Sequence, residues 1–415
     1  MASSVGPEDR VAEARPRLMT RPLLLRFVTV VGSSASFFLL LSVVPVYAQS
    51  APGGGSDKAG LVTGALMLAT VAGELMAPWL AARCGCRVML GAGLLLLGAP
   101  ALALTVSRSL ACIVTVCLVR GLGFAFTLVA GGALTASLIP PERRGEGLAL
   151  IGVMAGVPSL VCLPLGAWLA LHTGYGPVCW AAALIALVSL AAVPGLPGRE
   201  AASGPPLGIF AGARSGALGR PTAVFAVTAV GAGIVVTFLP LAVAPGNSGV
   251  VAAALFIHPA AATASRWFAG RRADRRADRR GAAGLMVPGL VASAAGILVV
   301  ALTGVPVAVV VGAAVFGVGF GIAQSATITL MYSRVPASGY GTVSALWNVA
   351  YDAGMGIGAV GFGTVAGLTG YPWAFVLTAF LMLTALVPAR WDLTAARKQR
   401  AMGREDQAVA EQGQR

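Results

Sequence analysis

Long apolar runs separated by short polar breaks fill nearly the whole chain. A first set covers residues 23–48, 59–81, 88–106, 109–138, 146–171 and 176–195. A second set covers 221–244, 249–269, 283–303, 305–331, 340–367 and 371–390. An α-helix rises about 1.5 Å per residue, so about 20 apolar residues cross a hydrocarbon core of roughly 30 Å. The pattern predicts an all-α membrane protein with twelve transmembrane helices. Residues 197–220, with Pro197, Gly198, Pro205 and Pro206, form the longest internal break. They read as a linker between two six-helix bundles, 23–196 and 221–391, flanked by polar tails at 1–22 and 392–415. The first run is too long for a cleaved leader, and no small-residue cleavage site precedes the next run, so it is read as a span.

Composition narrows the class. Of 415 residues, 57% are apolar and 11% charged, with a mean hydropathy of +0.85; soluble domains carry about a quarter charged residues. That balance excludes a cytosolic enzyme, a disordered chain and a secreted disulfide scaffold. The formal net charge of +14 does not imply a nucleic-acid partner, because the basic residues fall in the breaks between spans. Arg10, Arg15, Arg17, Arg21 and Arg26 belong to the amino end, followed in alternate breaks by Arg83 and Arg87, then Arg143 and Arg144, then Arg199, Arg214 and Arg220. The series continues with the block Arg271 to Arg280, then Arg334, then Arg390, Arg397, Lys398, Arg400 and Arg404, while the other breaks hold only Lys58 and Arg108. By the positive-inside rule both termini are cytoplasmic, and a multi-pass protein of the bacterial plasma membrane is expected. Of six cysteines, Cys84 and Cys86 sit in a basic break with no His nearby, and the other four lie in apolar runs, so no metal site is expected.

The two halves repeat one another. Thr173-Gly174-Tyr175 recurs as Thr369-Gly370-Tyr371, an offset of 196 residues. At the same offset Pro140 and Gly145 match Pro336 and Gly341, and Ala81, Arg83 and Gly85 match Ala277, Arg279 and Gly281. A six-plus-six duplication places the substrate path between the halves, near the bilayer midplane.

The chain resembles the major facilitator superfamily over essentially its whole length, and within it the drug/proton antiporters and related efflux permeases. That family carries a Gly-x-Leu-Ala-Asp-Arg-x-Gly-Arg-Lys run between its second and third helices. The matching stretch here is Pro78-Trp79-Leu80-Ala81-Ala82-Arg83-Cys84-Gly85-Cys86-Arg87, in which Leu80, Arg83, Gly85 and Arg87 fit and Pro78, Ala82 and Cys86 do not. The second half keeps an acid as Ala277-Asp278-Arg279-Arg280-Gly281, preceded by Ala273-Asp274-Arg275-Arg276. The resemblance implies a cytoplasmic gate built from Arg83, Gly85 and Arg87 in one half and Arg266, Asp274, Asp278 and Arg279 in the other, weakened where Ala82 replaces the acid. Arg120-Gly121-Leu122-Gly123-Phe124-Ala125 is similar to the family's intramembrane Arg followed by glycines. Gly152, Gly156, Pro158 and Pro164-Leu165-Gly166 look like a degenerate form of the antiporter Gly-Pro motif, with Leu163 where glycine would stand. A monomer is implied by the same resemblance.

Three ionisable residues lie well inside apolar runs: Glu74, Arg120 and Asp352. Each costs about 2.5–3.5 kcal/mol at the centre of a membrane helix, even on the gentler insertion scale, and such groups face a cavity or a partner. At about 1.5 Å per residue, Glu74 is about 12 Å from Ala82 and Asp352 about 18 Å from Tyr340. In the family's fold the second and eleventh helices face each other, which implies broadly similar depths for the two carboxyls. Asp352 or Glu74 is expected to carry a coupling proton, switched by a moving Arg120; a permanent Arg120–carboxylate pair is the alternative. Phe37, Phe38, Phe124, Phe238, His258, Gln324, Trp347, Asn348 and Tyr351 are candidates to line the cavity, with the glycines from Gly354 to Gly363 reserved for close helix packing. No GxxxxGK loop occurs, so the proton gradient rather than ATP or a cofactor is the expected energy source. With no catalytic constellation, and His172 and His258 the only histidines, an enzyme is not expected. The expected function is secondary active efflux of a small lipophilic or amphipathic compound in exchange for protons. The alternative is a proton-coupled or passive importer of a sugar or other metabolite; a non-transporting sensor or scaffold ranks last.

Overall fold

The computed structural model describes residues 19–51, 55–139, 144–198, 214–244, 246–275, 283–335 and 339–394. All regular structure among them is helical. The first half holds α1 (Arg21–Gln49), α2 (Ser56–Cys84), α3 (Cys86–Thr105), α4 (Leu110–Leu138), α5 (Arg144–Thr173) and α6 (Tyr175–Gly195). The second holds α7 (Gly216–Ala242), α8 (Ser248–Arg275), α9 (Ala283–Val300), α10 (Pro306–Tyr332), α11 (Tyr340–Thr369) and α12 (Tyr371–Thr394). Eleven of the twelve contain stretches long and apolar enough to cross a membrane. The remaining one, α11, runs for 30 residues, its apolarity diluted by glycine and by Asn348 and Asp352. The protein is an all-α, multi-pass membrane protein built from two six-helix bundles.

These helices are apolar on every side, so the inward face is chosen by side-chain size rather than by an apolar stripe. In α6, Ala182, Ala183 and Ala186 are fully buried while Leu184 and Val188 are 52% and 68% exposed. In a bilayer the outer residues lose nothing by facing lipid, and the small inner ones let helices approach closely. Ends are set by local chemistry. The Ser109 and Ser215 side chains accept from the backbone N–H groups of Cys112 and Leu218, opening α4 and α7. Gly174 and Gly370, the paired glycines of the repeat, have φ of +83° and +79°. Both turn the chain between consecutive helices in the left-handed region that glycine adopts without strain, so the repeated Thr-Gly-Tyr encodes one turn used twice.

The halves meet where α11, wedged against α7, packs along α2, and where α8 packs on α5. At the end remote from Arg83, Arg87, Arg220 and Arg334 this seam is closed. There Ser56 Oγ donates to Gly363 O (2.9 Å), Gln49 Nε2 to Tyr371 Oη (3.1 Å), and the Thr63 and Thr237 hydroxyls share a bond of 3.1 Å. Gly60 lies so close to the Ala359 backbone that any Cβ would collide with it.

Two expectations about the polar ends change. Arg26, counted with the amino tail, sits in the second turn of α1 and is buried. It donates through Nε to Gly131 O (3.0 Å) and Thr135 Oγ1 (3.2 Å) and through Nη1 to Thr29 Oγ1 (2.9 Å), tying α1 to α4. At the other end α12 continues to Thr394, past the expected start of the tail. The fully buried Asp392 Oδ1 lies 3.1 Å from Arg334 Nη2 and 3.6 Å from Arg220 Nη1, and Arg334 also donates to Ala217 O. Arginines that read as topological markers therefore also clamp the second half together.

Candidate functional site

Between the halves lies a cavity of about 440 Å³. Its position follows from the seam: sealed at one end by the Ser56–Gly363 and Thr63–Thr237 contacts, it is flanked toward the arginine-rich end by half-exposed Leu128 and exposed Thr263 and Arg266. Eight of the nine candidate lining residues surround it. Phe37 and Phe38 come from α1, Phe124 from α4, His258 from α8, Gln324 from α10, and Trp347, Asn348 and Tyr351 from α11. Phe238 does not. It is fully buried in the sealed end of the second half, with ring centroids 4.7 Å from Phe362 and 6.3 Å from Tyr371, so it packs the plug instead of the cavity.

The two walls differ. On the first-half side Phe37 stacks on Phe124 with centroids 3.7 Å apart and planes at 13°, and Phe38 meets Phe37 edge-on at 5.3 Å. On the second-half side Trp347 stacks on Phe225 at 4.3 Å and 10°, with Asn348 and Tyr351 next along α11. His258 stacks on Phe316 at 4.9 Å and leaves its Nδ1 buried without a partner, as is Trp347 Nε1. Arg266, expected in the gate, lines this wall and donates through Nη1 to Gln324 Oε1 at 3.3 Å.

The intramembrane charges separate into two situations. Asp352 lines the cavity from α11, and Glu74 on α2 faces it across the seam, the two carboxyls within electrostatic reach of each other. Both side chains are buried, at 8% exposure for Glu74 and 5% for Asp352, and neither Glu74 oxygen has a hydrogen-bond partner. Arg120 stands apart from them. Its guanidinium donates to the backbone carbonyl of Leu97 and, at 2.8 Å, to that of Ser36, with no carboxylate beside it among the described residues. The alternative of a permanent Arg120–carboxylate pair is not found among the described residues; the guanidinium is held by backbone carbonyls of the first half instead.

In the loop motif, Arg83 lies over the Trp79 ring (4.1 Å to the centroid), Gly85 forms the α2–α3 turn with φ +82°, and Arg87 points toward Gly198. These contacts stay within the first half. The Asp274 side chain, Asp278 and Arg279 lie outside the described residues. Met67, Ser159 and Thr263 also line the cavity and were not anticipated. Ser159 and Thr263 are polar positions inside apolar runs, a signal that singles them out in retrospect; Met67 carries none.

Two helical bundles around a central cavity closed at one end define a membrane transporter rather than an enzyme. The sequence matches the Major Facilitator Superfamily over residues 26–359 and again over 277–412, and the chain belongs to that family. Similar solved structures include a POT family transporter in complex with 5-aminolevulinic acid (12% identity, TM-score 0.73, covering 91% of this chain and 96% of that one). The nucleoside transporter NupG is similar at 16% identity and TM-score 0.63, over 91% and 99% of the two chains. The human organic anion transporter MFSD10 is similar at 18% identity and TM-score 0.59, over 89% and 99%. No curated protein matches the sequence.

Proposed function

We propose that the protein exports a small lipophilic or amphipathic compound across the bacterial plasma membrane in exchange for protons, by alternating access and as a monomer. On this reading both termini and the arginine-rich end face the cytoplasm, as the positive-inside count supports, so the cavity faces inward. The observation that carries the proposal is the carboxyl pair Glu74–Asp352, which spans the very seam that must open for the cavity to face outward.

Two carboxylates in contact cannot both be ionised, so the closed seam needs a proton between them. Substrate entering beside Tyr351 and Asp352 disturbs the pair, and the proton leaves to the open side. The ionised groups then repel by about 4 kcal/mol at a separation of about 4 Å and an effective dielectric of about 20. That repulsion favours parting of α2 and α11 and turns the cavity outward. Substrate departs, the carboxyls take protons from the more acidic side, and the seam closes again. Arg120 has no step in this cycle; it holds α1, α3 and α4 in register.

Uptake of a polar metabolite together with protons is the second reading, favoured by the polar wall of Arg266, Gln324 and Asn348. Accumulation of a panel of fluorescent compounds in inside-out vesicles, with and without an imposed proton gradient, tests the proposal. Gradient-driven accumulation that is lost in Asp352→Asn is the expected result. Gradient-driven accumulation in right-side-out vesicles alone would reverse the direction.

A further inference from the structure

The unequal walls of the cavity bear on the head group of what it binds. Arg266 spends one N–H on Gln324 Oε1 and keeps its other donors. That bond turns the Gln324 carbonyl oxygen to Arg266 and leaves the Gln324 amide N–H donors to offer. Trp347 adds an indole N–H that is buried and unpartnered. No carboxylate is paired with Arg266 among the described residues, whereas Phe37, Phe38 and Phe124 on the opposite wall offer neither charge nor hydrogen bond, and Ser159 beside them donates back to Gly156 O. A wall of donors around an unneutralised guanidinium lacks an acceptor with negative charge. The wider charge balance points the same way. Buried Arg26 and Arg120, with Arg266 on the cavity wall, set three cations against Glu74 and Asp352 around the centre of the fold.

We propose that the cavity binds an amphipathic organic anion, with a carboxylate or similar acidic head on Arg266 and Gln324 and an aromatic body against the wall of Phe37, Phe38 and Phe124. The assignment rests on the reading of this cavity as the substrate site and names its substrate class. Asp352 lies about 6 Å beyond Asn348 along α11, its charge shared with a proton, so the head binds at Arg266 rather than beside the acids. An inside-negative membrane potential drives such an anion outward, in keeping with export.

The test uses the full-length protein in lipid nanodiscs and three probes of nearly one shape: 1-naphthoate, 1-naphthamide and 1-naphthylmethylammonium. Calorimetric titration is expected to show naphthoate binding about tenfold or more tighter than the amide, with the ammonium compound weakest. Arg266→Gln is expected to bring naphthoate down to the level of the amide, and Arg266→Lys to retain most of the preference. Should Arg266→Gln not fold, Gln324→Leu is expected to cut the preference severalfold. Equal or reversed ranking, no naphthoate binding by the wild type, or a preference that survives both Arg266→Gln and Gln324→Leu would overturn the proposal. Naphthoate-selective binding without gradient-driven movement in vesicles removes the transport reading and leaves this one. Gradient-driven transport of neutral compounds with no preference for anions does the reverse.

Discussion

Arg120 and the Glu74–Asp352 pair are alike in sequence: ionisable side chains deep in apolar helices, where each costs several kcal/mol to place. In the fold they differ in how their hydrogen bonds are met. Arg120 donates to the carbonyls of Leu97 and Ser36, contacts confined to one half that need not change when the halves rock. Neither Glu74 oxygen has a hydrogen-bond partner, and the charged group that acts on it is the acid facing it from the other half. A buried charge whose bonds are made within one rigid body acts as a strut. A buried pair across a moving seam, whose bond requires a proton, links protonation to movement.

The largest expected effect that tests this contrast is loss of coupling in the double variant Glu74→Gln, Asp352→Asn. Neutral amides can hydrogen-bond in the closed seam at any pH, so substrate should still equilibrate across proteoliposomes while gradient-driven accumulation disappears. The pH dependence of the exchange rate should flatten as well. Retained accumulation in the double variant would break the comparison.

Next in size is Gly60→Val. Its side chain would strike the Ala359 backbone, so the sealed end should fail to close. A cysteine placed at the fully buried Thr237 should then react severalfold faster with an impermeant maleimide added from outside. An unchanged rate would mean that the seam does not depend on this contact.

Arg120→Met sharpens the contrast from the other side. It removes two hydrogen bonds from a charged donor, each worth about 1.5–3 kcal/mol, so thermal stability should fall. The protein that survives should keep its gradient dependence, and loss of coupling at full stability would show Arg120 to be more than a strut. The smallest effect is expected for Phe124→Leu. Removal of the stack on Phe37, worth about 0.5–1.5 kcal/mol, should weaken naphthoate about two- to tenfold in calorimetry and leave the gradient dependence in place.

Much of this architecture is legible in the sequence because bilayer thickness imposes a length on every helix, and a duplicated chain repeats its punctuation. Thr-Gly-Tyr at 173 and 369 marks equivalent turns, and the left-handed glycine in each is the physical reason the motif recurs. Eight of the nine cavity candidates line one space because polar or aromatic residues in lipid-length apolar helices have few other uses. Partners were harder to read. Phe238 has the same residue type as Phe37, and only packing against Phe362 assigns it to the plug. Arg26 and Asp392 read as tail charges because helix ends blur in hydropathy, yet both are buried and bonded. Arg266 read as part of a basic gate, since nothing in its neighbours announces that Gln324, 58 residues away, turns it into the cavity.

The central claim, that Glu74 and Asp352 carry the coupling proton, is tested most directly by counting protons on binding. Purified protein in weakly buffered nanodiscs is mixed with the compound that accumulates best in vesicles, and the pH change is titrated back. The account predicts release of about one proton per molecule by the wild type and none by Glu74→Gln, Asp352→Asn. Uptake by the wild type, abolished in the variant, would keep the pair as proton carrier and make the process cotransport. Equal proton counts in the two proteins would contradict the account.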